Sequence, residues 1–365
     1  MSAERDLLSS AIVKQAMSEF TIRCREEWHR IGPAHILLTG GTGFFGSWMI
    51  ASFAALRGAG FPMRLTVISR NPDGFLAKHP SLKDVDGLAF KKDDVTTATI
   101  PFDVTHVFHF ATTPAQKDDP ESQAEMRSTI IAGTRRMLEE AERVRAKRFL
   151  LASSGAVYGK GKSDRPEESS VLASSFVPFS EDLTPGLSLY GDAKREAERL
   201  CFEVEKTRRL ETVVARGFAF SGPLFPLDGP YAISGFMTAM LSGLPLNVKS
   251  PDTVRSFLDG RDLVYTMWLL MARGRSGEAY NVGGSESVTM RELADLIRAI
   301  ALKVGRRVPD VRLVVPTGTR GNMMRGPDVY RPNLKKIETE FGWKPDFTLK
   351  ESLRDHALWA ASLGD

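Results

Sequence analysis

The segment HILLTGGTGFFG, residues 35–46, decides the fold of this chain. Its first five residues form a short apolar run typical of a buried strand, and a helix-length segment follows at Ser47–Arg57. Between them, Gly40, Gly43 and Gly46 permit a tight turn and a close approach of the backbone to a pyrophosphate. The helix N-terminus adds free N–H groups and a partial positive charge. Because a strand, three spaced glycines and a helix occur together, the segment is predicted to bind a dinucleotide.

Beyond this segment, short apolar runs continue to alternate with helix-length segments. The runs are Leu65–Ser69, Leu88–Lys91, Val104–Phe110 and Arg148–Ser153. This alternation predicts an α/β fold, a doubly wound parallel Rossmann sheet with a smaller C-terminal substrate-binding lobe. We expect a helical N-terminal extension at 1–34, a dinucleotide-binding domain at 35–217 with a later return near 250–283, and mainly the substrate-binding lobe at 218–365.

Composition excludes several other classes of protein. The 365 residues include 49 basic and 45 acidic side chains, a net charge of +4 without basic runs, which argues against a nucleic-acid partner. The longest apolar stretches fall short of the 18 residues that a membrane span needs, so no membrane partner is expected. Two cysteines, Cys24 and Cys201, cannot build a disulfide framework, and we expect reduced thiols in the cytoplasm.

Metal and serine-hydrolase chemistry are poorly supported. His106 and His109 are three residues apart on a predicted strand, where they face opposite sides, so no metal site is expected. Ser153 and Ser154 follow a strand, but the Gly-x-Ser-x-Gly pattern of a hydrolase nucleophile is missing.

The end of the second predicted strand concerns the choice of cofactor. NAD-binding proteins usually place an acidic residue there to hold the ribose 2′-hydroxyl. No acidic residue occurs here between Gly46 and Asp73, and the strand ends in Ser69 and Arg70. A guanidinium pairs well with a 2′-phosphate, so NADP(H) is favoured while NAD(H) remains open. The alternative is that Arg70 is a surface arginine without a cofactor role.

A tyrosine and a lysine lie four residues apart on a predicted helix. Tyr190 and Lys194 therefore share one face of that helix. A phenol with a pKa near 10 becomes a useful acid–base group beside an ammonium and a cationic nicotinamide. Ser154, directly after a strand, is placed to hydrogen-bond the reacting oxygen. Tyr-x-x-x-Lys alone is common by chance, but the glycine turn and the serine-rich strand end make the combination specific.

With these motifs in this order, the chain resembles the extended short-chain dehydrogenase/reductase family of NAD(P)-dependent nucleotide-sugar epimerases, dehydratases and reductases. The resemblance covers about 36–353. Its landmarks here are Thr39–Gly46, Asp94-Val95, His109–Thr112, Gly133-Thr134, Ser154, Tyr190 with Lys194, Arg216–Pro223, Arg255–Phe257, Tyr280–Gly283 and Arg325 with Asp328.

The resemblance implies roles for these residues. Tyr190 exchanges a proton with the sugar C4 oxygen, Ser154 shares that hydrogen bond, and Lys194 holds the nicotinamide ribose and lowers the pKa of Tyr190. The implied cofactor-binding residues are Thr39, Gly40, Gly43, Phe44, Phe45, Gly46, Ser69, Arg70, Asp94, Val95, Phe110, Ala111, Thr112, Tyr190, Lys194 and Phe218. The implied substrate-binding residues are Ser154, Gly155, Ala219, Arg255, Arg325 and Asp328. The implied partners are a nucleotide-sugar substrate and a second copy of the chain, paired through the Tyr-Lys helix and the helix near Glu121–Val144.

Departures from the family pattern narrow the reaction. The 4,6-dehydratases of this family carry an Asp-Glu pair directly after the catalytic Ser/Thr, where this chain has Gly155 and Ala156. The related decarboxylases carry a glutamate in the same stretch. A family asparagine is replaced by Ala219 and another by Ile130, so the sugar and the nucleotide stay open. We expect an NADPH-dependent 4-ketoreductase acting on a nucleotide-linked 4-keto-6-deoxyhexose. The alternatives are a 4-epimerase with retained NAD and, more remotely, a non-catalytic dinucleotide-binding protein.

Overall fold

The computed structural model of the chain describes residues 6–112, 119–159, 188–207, 209–306, 308–314 and 328–363. The strands are β1 Ala34–Thr39, β2 Met63–Ser69, β3 Leu88–Lys92, β4 His106–His109, β5 Arg148–Ser154, β6 Glu211–Gly217, β7 Ala219–Ser221, β8 Asn247–Val248, β9 Val254–Asp259, β10 Glu278–Val282, β11 Ser287–Thr289, β12 Arg312–Leu313 and β13 Val329–Tyr330. The α-helices are α1 Ala11–Arg23, α2 Arg25–Ile31, α3 Phe44–Gly58, α4 Pro72–Lys78, α5 Pro120–Arg143, α6 Leu189–Lys206, α7 Ala232–Leu241, α8 Gly260–Arg273, α9 Met290–Lys303, α10 Lys335–Phe341 and α11 Leu349–Ser362. Short 3₁₀ turns occupy Pro80–Asp84 and Gly155–Tyr158.

Seven parallel strands form the main sheet in the order β10-β6-β5-β4-β1-β2-β3. The strands β1 to β6 follow the Rossmann order β3-β2-β1-β4-β5-β6, in which the direction of winding reverses between β1 and β4. The predicted α/β fold with a parallel sheet is confirmed. The helices that follow β1 and β4 lie on opposite faces of the sheet, so a crevice opens beyond the carboxyl ends of these two strands. Ligands of open α/β sheets bind in such crevices.

Both faces of the main sheet are covered, as a parallel sheet requires. Strand β1 is buried along its whole length. On one face, Trp268 of α8 packs against Phe108 of β4, with ring centroids 4.9 Å apart. On the other face, α5 and α6 pack over β4, β5 and β6 with a separate apolar cluster that includes Val107, Phe149 and Val214.

The residues before β1 form a further layer on the α3 and α8 side. Trp28 of α2 contacts Trp268, with a centroid distance of 4.1 Å. The Arg23 guanidinium at the end of α1 pairs with the buried carboxylate of Asp262 at 2.7 Å. Aromatic packing and a buried ion pair therefore attach α1 and α2 to the helices that cover the sheet.

Smaller strands assemble beyond the carboxyl ends of the main sheet. Strand β9 pairs with β7, β11 and β13, and β8 pairs with β12. These strands and α7 form the far wall of the crevice. Within the described ranges, none of the helices has the length and apolarity of a membrane span. The same ranges contain no cluster of His, Cys, Asp or Glu side chains able to hold a metal ion.

Candidate active site

The glycine turn between β1 and α3 leaves no room for a side chain at Gly40 or Gly46. Gly40 has a φ of +71°, and a Cβ there would lie 2.7 Å from the carbonyl carbon of Phe110. Gly46 lies in the first turn of α3, and a Cβ there would lie 2.2 Å from the Cα of Gly41. Gly43 caps α3 without a side-chain hydrogen bond. The turn thus presents backbone and the positive end of a helix dipole to the crevice, which is the environment that a pyrophosphate requires.

A buried histidine fixes the strand ends beside this turn. His109 Nδ1 hydrogen-bonds with the Thr39 hydroxyl at 2.8 Å, and its Nε2 hydrogen-bonds with the Thr134 hydroxyl at 3.1 Å. Burial lowers the pKa of His109 to about 3, with a smaller contribution from the charge of Lys194. The Thr39 hydroxyl also accepts a hydrogen bond from the backbone N–H of Ala111 at 3.2 Å. The neutral imidazole therefore joins β1, β4 and α5.

Ser154, Tyr190 and Lys194 meet at the carboxyl end of β5. Ser154 is the last residue of that strand, and the other two lie in the first two turns of α6. Helix α6 begins where the Ser188 hydroxyl accepts a hydrogen bond from the N–H of Gly191. The Tyr190 phenol lies beside the Ser154 hydroxyl, which acts on its pKa. Lys194 Nζ donates to the carbonyl oxygen of Ala152 at 2.8 Å and lies 5.8 Å from the centre of the Tyr190 ring.

Burial shifts the pKa values of Tyr190 and Lys194 in opposite directions. Burial raises the pKa of Tyr190 well above its usual value, and the neighbouring Tyr330 raises it further, while the Ser154 hydroxyl opposes the shift. Burial also lowers the pKa of Lys194 to about 8, although Glu198 and Cys201 partly oppose this effect. The net shift of the Tyr190 pKa in the chain without a cofactor is therefore upward, and its lowering by Lys194 together with a bound nicotinamide stays a prediction. Tyr190 is a neutral phenol at physiological pH, ready to donate a proton.

A cleft of about 1470 Å³ connects the glycine turn, the trio and the smaller strands. Aromatic rings dominate its wall beside the turn: Phe45 packs against Phe220 and Phe110 at centroid distances of 4.9 and 5.7 Å. The cleft is lined by many of the predicted site residues, namely Gly40, Gly43, Phe44, Phe45, Phe110, Thr112, Ser154, Tyr190, Lys194, Phe218, Ala219, Arg255 and Asp328.

Other predicted residues lie beneath the cleft wall. Thr39, Gly46 and Ala111 belong to the packing of the strand ends and of α3 described above. Val95 is buried and sits close to Gly133, whose added Cβ would lie 2.8 Å from a Val95 methyl carbon. Gly155 is buried under the ring of Phe218, where an added Cβ would lie 2.6 Å from a ring carbon. A larger side chain at position 155 would therefore displace Phe218 from the cleft wall.

Ser69, Arg70 and Asp94 lie together at the carboxyl end of the sheet, away from the trio. Arg70 Nη1 forms an ion pair with Glu125 of α5 at 2.8 Å, and both side chains are exposed. Hydrogen bonds from Thr96 lower the pKa of Asp94, and the charge of Arg70 lowers it slightly more. Glu125 was not anticipated, because it lies 55 residues from its partner in the chain.

Asp328 forms an ion pair at the cleft with Arg255. Arg325, which the resemblance implies as a substrate-binding residue together with Asp328, lies outside the described residues. In the structure, Arg255 Nη2 pairs with the Asp328 carboxylate at 2.8 Å, and Arg255 Nη1 donates to the Asp328 carbonyl oxygen at 3.2 Å. Two predicted substrate residues from β9 and the start of β13 thus bind each other at the rim of the cleft.

A buried polar network under the trio was also missed. The side chains of Glu198 and Arg216 are only 3% and 1% exposed and form an ion pair at 2.6 Å. Ser153 donates to the Glu198 carboxylate at 2.5 Å. Arg216 also donates to the Tyr158 hydroxyl at 2.9 Å, and that hydroxyl donates to Asn281 at the same distance. The network links β5, α6, β6 and β10 directly behind Lys194.

Tyr330 is a further residue that the sequence analysis did not identify. Its hydroxyl oxygen lies 3.4 Å from the Ser154 hydroxyl oxygen, on a strand 176 residues later in the chain. Its ring packs against Phe218 at 4.8 Å, and the Arg255 guanidinium lies 5.4 Å from the ring centre. It therefore brings a second phenol to the cleft beside Ser154 and Tyr190.

The strand order and the glycine turn define a Rossmann-type dinucleotide-binding fold. The chain belongs to the NAD dependent epimerase/dehydratase family, whose model matches residues 36–283. This membership confirms the resemblance to the extended short-chain dehydrogenases/reductases.

The relatives carry several activities. UDP-glucuronic acid decarboxylase 6 of Arabidopsis thaliana is 28% identical over 324 residues, which cover 87% of this chain and 86% of that protein. GDP-6-deoxy-D-mannose reductase of Pseudomonas aeruginosa is 29% identical over 214 residues, covering 56% of this chain and 63% of that protein. The structure of UDP-glucuronic acid 4-epimerase from Bacillus cereus in complex with UDP-glucuronic acid and NAD has a TM-score of 0.71, with 22% identity and coverage of 90% of this chain and 99% of that one. At that identity the structural likeness concerns the fold alone.

Proposed function

We propose that the protein is an NADPH-dependent 4-ketoreductase that reduces C4 of a nucleotide-linked 4-keto-6-deoxyhexose. The observation that carries this proposal is the trio of Ser154, Tyr190 and Lys194 beside the glycine turn, with Gly155 and Ala156 directly after the serine. Family membership supports pyridine-nucleotide chemistry on nucleotide sugars, and the reductase of Pseudomonas aeruginosa gives a relative with the proposed kind of reaction in its name.

The residues of the cleft fit a nicotinamide dinucleotide. The pyrophosphate would lie against Gly40, Gly43 and the N-terminus of α3, where an added Cβ on Gly40 would clash with Phe110. The adenosine end would lie near Ser69, Arg70, Asp94 and Val95. The nicotinamide end would lie near Phe110, Ala111, Thr112, Tyr190, Lys194 and Phe218. When bound, the reduced cofactor supplies a hydride to the substrate carbon.

The trio has the properties of a proton-donating site. Tyr190 carries its proton at neutral pH, as a phenol does, and burial raises its pKa further, so it is in the form that can protonate the C4 oxygen as that oxygen gains negative charge. Ser154 lies beside Tyr190 in the cleft, where its hydroxyl can hydrogen-bond the same C4 oxygen. Lys194 is buried 5.8 Å from the Tyr190 ring centre, where its positive charge favours the phenolate left after proton transfer.

The two residues that follow Ser154 do not support elimination or decarboxylation. Neither Gly155 nor Ala156 has an ionisable group. The ring of Phe218 occupies the space that a side chain at position 155 would take. A dehydratase of this family uses carboxyl groups at these positions, so simple oxidation or reduction at C4 is the chemistry that the site supports.

A 4-epimerase with retained NAD is the second candidate. The ion pair between Arg70 and Glu125 favours it, because a carboxylate 2.8 Å from the guanidinium competes with a cofactor 2′-phosphate. The Bacillus cereus epimerase shares the fold over 90% of this chain. In this candidate the same trio would first remove and then return the proton on the C4 oxygen.

The cofactor state of the purified protein separates the two candidates. For the reductase, we expect denatured protein to release little dinucleotide, and the native protein to bind NADPH more tightly than NADH in a fluorescence titration. Activity is then screened with nucleotide-linked 4-keto-6-deoxyhexoses. Release of one equivalent of NAD per chain would contradict the reductase and favour the epimerase.

Arg70 provides a test of cofactor choice. We expect Arg70→Asp to lower the affinity for NADPH about tenfold or more and to leave that for NADH within about twofold, because a carboxylate repels a 2′-phosphate. Glu125→Gln is the matched variant: it frees Arg70 from its ion pair and should strengthen NADPH binding. Dissociation constants measured for both dinucleotides check the prediction. An unchanged preference in both variants would show that Arg70 lies outside the cofactor site.

The proposal includes a homodimer formed through α5 and α6. These two helices pack side by side over the same face of the main sheet, which gives a continuous helical surface for a second copy.

A further inference from the structure

We propose that Tyr330 is a third hydrogen-bond donor to the reacting C4 oxygen, and so a catalytic residue beside Ser154 and Tyr190. The inference rests on the proposed function and adds a residue to it. Tyr330 comes from β13, on the wall of the cleft opposite the main sheet.

The position of the Tyr330 hydroxyl carries the inference. The Ser154 oxygen lies 3.4 Å from that of Tyr330, and Ser154 is also close enough to the Tyr190 phenol to shift the pKa of that phenol. A substrate oxygen that hydrogen-bonds with Ser154 and Tyr190 therefore lies close to Tyr330 as well. All three residues line the same cleft, so a ligand can reach the three hydroxyls together.

The packing of the Tyr330 ring holds the phenol in place. Phe218 contacts the ring at a centroid distance of 4.8 Å. The Arg255 guanidinium lies 5.4 Å from the ring centre and is itself anchored by Asp328. A donor that is oriented before the substrate binds contributes more to catalysis than one that must reorganise. Phe218 also covers Gly155, so the ring that excludes a side chain at position 155 supports the phenol of Tyr330.

The chemistry assigns a distinct task to each phenol. As the hydride adds to C4, the carbon–oxygen π bond breaks and its electron pair moves onto the C4 oxygen. Tyr190 transfers its proton to that oxygen, which yields the alcohol and the oxidised cofactor. Tyr330 keeps its own proton and donates a hydrogen bond to the oxygen while the negative charge develops, as the donors of an oxyanion hole do.

The test compares Tyr330→Phe with the wild type. Phenylalanine retains the ring contacts and removes only the hydroxyl. With NADPH and a nucleotide-linked 4-keto-6-deoxyhexose, we expect kcat to fall about 10²-fold while KM stays within about twofold, because the lost interaction forms mainly in the transition state. NADPH affinity and the urea-unfolding midpoint should match those of the wild type.

Tyr265→Phe is the matched control. The Tyr265 ring also lies against a guanidinium, that of Arg23 at 3.7 Å, but the residue is on α8 and does not line the cleft. We expect its kcat to equal that of the wild type. Ser154→Ala combined with Tyr330→Phe adds a second measurement: two donors to one oxygen should give non-additive losses in kcat.

The outcomes separate this inference from the proposed function. An active wild type with kcat of Tyr330→Phe within twofold would overturn the role of Tyr330 alone. A raised KM with unchanged kcat would do the same, since it would place the hydroxyl on a non-reacting part of the substrate. A parallel loss of stability or NADPH affinity would assign Tyr330 a structural role instead. A wild type inactive on every 4-keto sugar nucleotide would overturn the proposed function and this inference with it.

Discussion

Tyr190→Phe should lower turnover about 10³-fold and leave dinucleotide binding unchanged. The substitution removes one oxygen and keeps the ring, so the packing at the start of α6 is preserved. The loss follows from the proton that the C4 oxygen must receive, because general acid catalysis by a positioned side chain accounts for about 10²–10⁴-fold in rate. Single-turnover measurements of NADPH oxidation with a 4-keto sugar nucleotide check the expected result.

Dinucleotide affinity distinguishes the possible outcomes of that substitution. If Tyr190→Phe retains its turnover, the acid–base assignment is wrong. If turnover and NADPH affinity fall together, Tyr190 serves mainly to hold the cofactor. A wild-type protein that binds NADPH but converts no sugar nucleotide would favour the non-catalytic dinucleotide-binding protein. Unfolding by urea should give the same midpoint for wild type and variant, because the phenol is the only group that changes.

Features encoded by local spacing could be predicted from the sequence. The turn at 40–46 carries its glycines at a regular spacing within one strand–turn–helix unit, so the pattern is visible in the sequence even though the backbone that approaches Gly40 is that of the distant Phe110. Tyr190 and Lys194 face the same way because four residues make about one helical turn. The parallel sheet follows from the alternation of strands and helices, so its main features needed no long-range information.

Features that depend on contacts between distant segments could not be predicted. The pairing of Arg70 with Glu125 and the placement of Tyr330 beside Ser154 join residues 55 and 176 positions apart. The ion pair of Asp328 with Arg255 likewise joins two strands, from residues 73 positions apart. The upward shift of the Tyr190 pKa in the chain without a cofactor was not anticipated for the same reason. It depends mainly on burial, which is set by the whole cleft wall.

Glu198→Gln should destabilise the protein by about 3–5 kcal/mol. Glu198 is paired with Arg216 at 2.6 Å, and both side chains are almost fully buried. Removing one charge of a buried pair leaves the other uncompensated, and this costs several kcal/mol even when the new side chain has the same shape. The Tyr158 hydroxyl accepts a hydrogen bond from Arg216 but carries no charge to replace the carboxylate. Urea unfolding monitored by tryptophan fluorescence measures the change.

Glu203→Gln on the same helix is the matched control for that measurement. Glu203 is half exposed and pairs with Arg199, so its loss should cost less than about 1 kcal/mol. Equal effects of the two substitutions would show that the buried pair contributes no more than a surface one. Glu198→Gln should also lower the pKa of Lys194 further below about 8, because the carboxylate favours the charged ammonium. In the pH–rate profile of Glu198→Gln, the apparent pKa of Lys194 should therefore move to lower pH. Such a move would show that this network sets the charge of the lysine as well as the stability of the fold.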